Sequence, residues 1–144
     1  GIRDLRTVTG VQTCALPIFE RCVEVVQEAW RTGSVLISSF RHSSVKKVKQ
    51  LDGSILTGCL YHPIKDKARS PINIAKSSGA DFLILNRRYC TKRLVEKAHE
   101  HDLWIGEYTV DTKRQFDRAL KSGADIMFTN DPSTLRRFDS EDSM

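Results

Sequence analysis

The side chains with the most chemistry to offer stand where short apolar runs stop. Ser39, Phe40 and Arg41 close one run, Tyr61 and His62 a second, and Asn86, Arg87 and Arg88 a third. Tyr108, Thr109 and Asp111 close a fourth, and Thr129, Asn130 and Asp131 a fifth. The three arginines carry planar, permanently charged forks suited to two phosphate oxygens at once. Nothing in the sequence fixes their direction, and solvent-facing loop positions fit them equally. Phe40 and Tyr108 suit the apolar walls of a pocket for a small polyol, or plugs of the core.

His62 precedes Pro63 and has an imidazole able to act as acid, base or metal ligand, yet no second histidine ends another run. Alone, it reads first as a loop residue. His99 and His101 close a helical segment, where a partly positive ring suits the helix dipole, and read as structural. Glu107 sits inside an apolar run, where an unpaired carboxylate costs several kcal/mol. Strand alternation puts it on the face opposite Tyr108. If Tyr108 faces a pocket, Glu107 is expected to pair with a basic side chain of a flanking helix.

The elements that must position these residues follow from the pattern around them. Strands are expected at Val35–Phe40, Leu56–Tyr61, Phe82–Asn86, Ile105–Val110 and Ile126–Asn130, starting 21 to 26 residues apart. Nearly unbroken apolar runs of this length suit strands covered on both faces. Helices are expected at Glu20–Arg31, Ser43–Leu51, Ile72–Ser78, Thr91–Glu100 and Thr112–Lys121, with a last one from Ser133. In the fourth, Leu94, Val95 and Ala98 make an apolar stripe opposite Lys92, Arg93, Glu96, Lys97 and Glu100. Thr91 and Asp111 suit N-caps, and Pro71 and Pro132 suit helix starts.

The turns from helix to strand repeat as Thr32-Gly33-Ser34, Ser78-Gly79-Ala80-Asp81 and Ser122-Gly123-Ala124-Asp125. A glycine there is expected to end its helix in the left-handed conformation. This return of helix, glycine stop and buried strand predicts an α/β fold of the (β/α)8 TIM-barrel type. Five strands represent about its last five, so unpaired edges are expected beside the first and last.

Composition excludes several classes. The chain has 144 residues, 40% apolar and 28% charged, ordinary for a globular domain. Its net charge of +5 is dispersed apart from Lys46, Lys47 and Lys49, which reads as a solvated helix face, and no nucleic-acid partner is expected. No apolar run reaches the roughly 18 residues of a membrane span, and cytoplasmic placement is expected. Cys14, Cys22, Cys59 and Cys90 lack C-x-x-C spacing and read as reduced structural thiols. Residues 1–18 show no apolar period and resemble translated sequencing-adapter read-through. They are expected to be non-native, with a barrel domain over 19–139 and a tail over 140–144.

The strand-end residues, taken in order, resemble a known family. Ser39-Phe40 after Val35-Leu36-Ile37, then Tyr108-Thr109-Val110-Asp111, and then the run from Gly123 to Pro132 are similar to the C-terminal half of glycerophosphodiester phosphodiesterases. The resemblance spans Phe19 to Phe138. It implies a barrel hydrolase that uses a divalent cation, calcium or magnesium, to split a glycerophosphodiester into glycerol 3-phosphate and an alcohol. The family's two catalytic histidines and its metal-binding carboxylates lie on the first three strands, so no catalytic residue or metal ligand carries over.

What carries over is a substrate-binding wall: Ser39 and Phe40, Tyr108 and Thr109, and Thr129 with Asn130. Tyr108 replaces the family's usual tryptophan, Asp111 its asparagine and Asn130 its aspartate. The chain alone is expected to be inactive. A non-catalytic barrel of the same fold, binding a phosphorylated metabolite or serving as a scaffold, is the alternative. A sugar-phosphate enzyme of the same fold would favour a glycine-rich loop after Val110, where Asp-Thr-Lys-Arg stands instead.

Overall fold

The computed structural model of the chain describes residues 18–29 and 33–143. The segment expected to be foreign lies outside these residues apart from Ile18, and Cys14 lies outside with it. Helices and strands alternate as α1 (Ile18–Glu28), β1 (Leu36–Ser39), α2 (His42–Leu51), β2 (Leu56–Leu60), α3 (Pro71–Ser77) and β3 (Phe82–Asn86). They continue as α4 (Lys92–Glu100), β4 (Trp104–Tyr108), α5 (Lys113–Ser122), β5 (Ile126–Phe128) and α6 (Pro132–Asp142). Each expected element is present, with small shifts at its ends. Among the described residues the strands form one sheet in chain order, with β1 and β5 at its two edges. β1 runs parallel to β2 with Leu36 opposite Leu56, and β4 parallel to β5 with Gly106 opposite Ile126.

The chain divides into two compact units, Gly1–Phe82 and Leu83–Met144. In the first, α1 buries Cys22, Val23 and Val26, one stripe of a 3.6-residue period. Val23 and Val26 pack with Val35, Val48 and Ile55. Burying each such valine contributes roughly 1.5 kcal/mol.

In the second unit, Leu83, Ile84 and Leu85 of β3 are all but inaccessible, as a strand covered on both faces requires. Val110 packs with Phe116 and Ala119 of α5, and Met127, Leu135 and Phe138 close over them. Gly106 is dictated by space: a Cβ there would lie 2.8 Å from Phe128 Cε2 and 3.2 Å from Ile84 Cγ1.

The repeated turns contain matching clamps. Gly79 and Gly123 adopt positive φ, 69° and 85°, and the aspartate two residues later reaches back to a strand amide. Asp81 Oδ2 accepts from Thr57 N at 2.8 Å and from Lys49 Nζ at 2.7 Å. Asp125 Oδ2 accepts from Ile105 N at 2.7 Å and lies 2.8 Å from His99 Nε2. Thr32, which precedes Gly33, lies outside the described residues, and Gly33 has no Gly-Ala-Asp continuation.

Thr91 caps α4 by accepting from Leu94 N. The cap of α5 is Thr112 rather than Asp111. Thr112 Oγ1 accepts from Gln115 N, while Gln115 Oε1 takes the amides of Asp111 and Thr112. Asp111 misses the cap because its carboxylate is bound elsewhere, to the end of β5.

Candidate functional site

In the first unit, the end of β1 turns sharply: Ser39 Oγ accepts from Arg41 N at 3.0 Å, and this turn leaves Phe40 50% exposed. Phe40 is therefore no core plug. Its ring meets His62 edge to face, with centroids 6.1 Å apart. His62 is a loop residue, as read from the sequence. Its Nδ1 accepts from the amides of Ile64 and Lys65, both at 3.3 Å, and so organises the turn after β2. Asp66 Oδ2 takes His62 N at 2.8 Å and lies 3.7 Å from His42 Nε2, which itself bonds Leu60 O. The sequence reading missed His42. Its only signal was a polar residue at the first position of a helix just after a strand.

In the second unit, the ends of β3, β4 and β5 are tied together. Arg87 N donates to Tyr108 O at 2.8 Å, and Val110 N to Phe128 O at 2.9 Å. The Tyr108-Thr109 peptide is cis. Tyr108 and Thr109 are half-buried, and burial pushes the Tyr108 phenol up from its usual range. Arg41 and Arg88 are exposed, whereas Arg87 is half-buried and, among the described residues, its guanidinium forms no ion pair.

Asp111 is the hub of this end. Its Oδ1 accepts from Asn130 N at 2.9 Å and Thr129 Oγ1 at 3.0 Å, and its Oδ2 from Asn130 Nδ2 at 2.9 Å. The amide hydrogen bonds from Asn130, then that from Thr129 and the field of Arg87, hold Asp111 below the ordinary carboxylate range. The hydroxyl hydrogen of Thr129 is thus committed, and its oxygen also accepts from Asp131 N. Asp131 caps α6 through Ser133 and Thr134, whose hydrogen bonds lower its pKa to about 2.

Asp111 and Asn130, read from the sequence as two separate departures, meet in the fold: their side chains bond each other, and an amide-to-carboxylate pair links the loops after β4 and β5.

Glu107 is 1% exposed and, among the described residues, forms no ion pair, which corrects the expectation of a basic helix partner. The nearest cations, Arg118 and Arg87, act on it only at a distance. It meets Ser122 of α5 instead, at 3.4 Å. Cys22, Cys59 and Cys90 are buried free thiols. His99, read as structural, is part of the Asp125 clamp. It borders a shallow cavity of about 360 Å³ with Asp102, Leu103, Trp104 and Asp125, at the opposite end of β4 from Tyr108. Among the described residues, no group of three His, Cys, Asp or Glu side chains is placed to hold a metal, and no helix is long and apolar enough to cross a membrane.

The fold is that of solved phosphodiesterase chains. A chain described as a candidate glycerophosphoryl diester phosphodiesterase, from Silicibacter pomeroyi, superposes with a TM-score of 0.76 at 16% identity, covering 92% of this chain and 48% of its own. The Oleispira antarctica phosphodiesterase, solved with the product sn-glycerol-3-phosphate, gives 0.64 at 13% identity over 88% of this chain and 52% of its own. The class is therefore an α/β barrel of the TIM type, represented by five strands.

The particular family follows from sequence. Residues 8–134 match the glycerophosphoryl diester phosphodiesterase family, and the chain belongs to it. A glycerophosphodiester phosphodiesterase of Caldanaerobacter subterraneus is 30% identical over 118 residues, 82% of this chain and 47% of the relative. The chain thus spans about half the length of the relatives it matches.

Proposed function

We propose that the strand ends of this chain supply part of the substrate wall of a phosphoric diester hydrolase, one that converts a glycerophosphodiester and water to glycerol 3-phosphate and an alcohol. In this reading Ser39, Phe40, Tyr108, Thr109 and Thr129 contact the substrate. Phe40 and Tyr108 face the polyol carbons, and the Ser39 and Thr109 hydroxyls bond its oxygens. Thr129 offers a remaining lone pair while holding Asp111. Family membership supports the reaction class, and the product bound to the Oleispira protein supports a small phosphorylated polyol as ligand.

The observation that carries the reading in this chain is Arg87. It is a half-buried guanidinium with no carboxylate partner among the described residues, and its own amide is fixed to the carbonyl of Tyr108. A planar fork left unpaired at a strand end suits a phosphate dianion. The divalent cation of the resemblance finds no matching donor set among the described residues, and no step is routed through one. On this reading the acid, the base and the cation ligands come from elsewhere, and this chain alone does not turn substrate over.

Titrating the chain with sn-glycerol 3-phosphate, followed by NMR, tests the proposal. The expected result is saturable binding that Arg87→Met weakens at least tenfold, about 1.4 kcal/mol, and Arg88→Met leaves intact. Equal losses in both variants, or no binding, would defeat it. Turnover of a glycerophosphodiester by this chain with calcium or magnesium would overturn the claim of inactivity.

A further inference from the structure

Glu107 lies within β4, facing Ser122 in the last turn of α5, and its surroundings belong to the second unit alone. Its Oε1 is fully buried and has no hydrogen-bond partner. Its Oε2 is 3.4 Å from Ser122 Oγ, which is also 3.8 Å from Cys90 Sγ. Ser122 Oγ is only 2.8 Å from Ala119 O, the helical carbonyl three residues earlier. A hydroxyl has one hydrogen, and a carbonyl cannot donate. At these distances the serine hydrogen lies on Ala119, and Ser122 turns a lone pair towards Glu107.

An ionised Glu107 would then face that lone pair with a full charge, buried, with only the weak S–H of Cys90 left to serve it. A protonated Glu107 turns the same contact into a hydrogen bond. We propose that Glu107 is a neutral carboxylic acid in the folded chain, donating its proton to Ser122 and so latching α5 to β4, the strand that carries Tyr108, in a pH-dependent way. Its role is to position β4; it does not touch substrate. The inference does not rest on the phosphate reading.

The groups facing Glu107 agree. Arg118 on α5 and Arg87 after β3 favour the charged form from a distance, but neither pairs with it. Cys90, after β3, is a thiol that burial and then Glu107 push up to about 12. β5 presents Met127 opposite, and β3 contributes Leu83, Ile84 and Leu85 to the surrounding core. Burial, outweighing the hydrogen bonds and the arginines, raises Glu107 above the ordinary carboxylate range. The sign of the linkage follows. The folded state holds its proton more tightly than the unfolded chain does. The latch's stability is therefore complete below the unfolded value of about 4.3 and is lost as pH rises through the higher folded value.

The test is a carboxyl-carbon NMR titration of the full chain labelled at glutamate, assigned with Glu107→Gln. Glu107 should titrate well above the other glutamates. Ser122→Ala removes the acceptor of its proton and should move that midpoint down, by about threefold in proton affinity. Glu107→Gln keeps an N–H donor for Ser122, so wild-type Tm should fall relative to this variant as pH rises. Titration of Glu107 alongside the other glutamates overturns the proposal. So does an unchanged or raised midpoint in Ser122→Ala, which would mean that the serine donates to a carboxylate. If Glu107→Gln fails to fold, the Glu107 carboxyl resonance is assigned through its bonded side-chain and backbone nuclei, so its midpoint and the response of that midpoint to Ser122→Ala are still read.

Discussion

The Gly-Ala-Asp turn occurs once in each unit, and the two copies solve the same problem with different basic side chains. In the first, Asp81 binds the amide of Thr57, and Lys49 reaches over from α2 to bond both Asp81 and Ile55 O, the latter at 3.0 Å. In the second, Asp125 binds the amide of Ile105, and His99 approaches from α4 with a single contact. The aspartate and its strand amide are common to both. What the comparison teaches is that the backbone clamp is the fixed part and the helix cation is an adjustable brace. A lysine spans two acceptors and carries its charge permanently, whereas an imidazole braces one acceptor and forms an ion pair only when protonated.

Removing the fixed part should have the largest effect. Asp81→Ala strands both the Thr57 amide and Lys49, so chemical denaturation should give a loss of about 3 kcal/mol. Asp125→Ala strands the buried Ile105 amide and releases a half-exposed ring, for about 2 kcal/mol. Equal losses would mean that the lysine brace contributes no more than the imidazole. Next come the braces themselves. Lys49→His cannot reach both acceptors and should cost about 1.5 kcal/mol. Gly79→Ala and Gly123→Ala impose a left-handed alanine and should each cost about 1 kcal/mol, whichever brace stands nearby. Smallest is His99→Lys, which keeps one contact on Asp125 and should change Tm by no more than about 0.5 kcal/mol implies. A large loss there would show that the ring's shape matters beyond its hydrogen bond.

Much of this was legible in the sequence, because apolar runs and turn glycines act locally. The five strands, the six helices, the cap at Thr91 and the left-handed Gly79 and Gly123 follow from residue type and spacing. The strand-end shortlist rests on the same pattern, since a (β/α)8 barrel carries its chemistry at those ends. Partners distant in sequence were not legible. Glu107 was expected to find a cation and found a serine, because nothing local says which face of α5 meets β4. Asp111 was expected to cap a helix, but Asn130, 19 residues on, competes for its carboxylate and wins.

The Asp111 and Asn130 pair makes the loops after β4 and β5 interdependent. Each position takes its partner from the other loop, 19 residues away. A single change, Asp111→Asn or Asn130→Asp, sets two amides or two carboxylates across the same gap. The first lacks an ionised acceptor and the second repels itself. The two positions are therefore epistatic in this chain, each residue suited only to the background of the other.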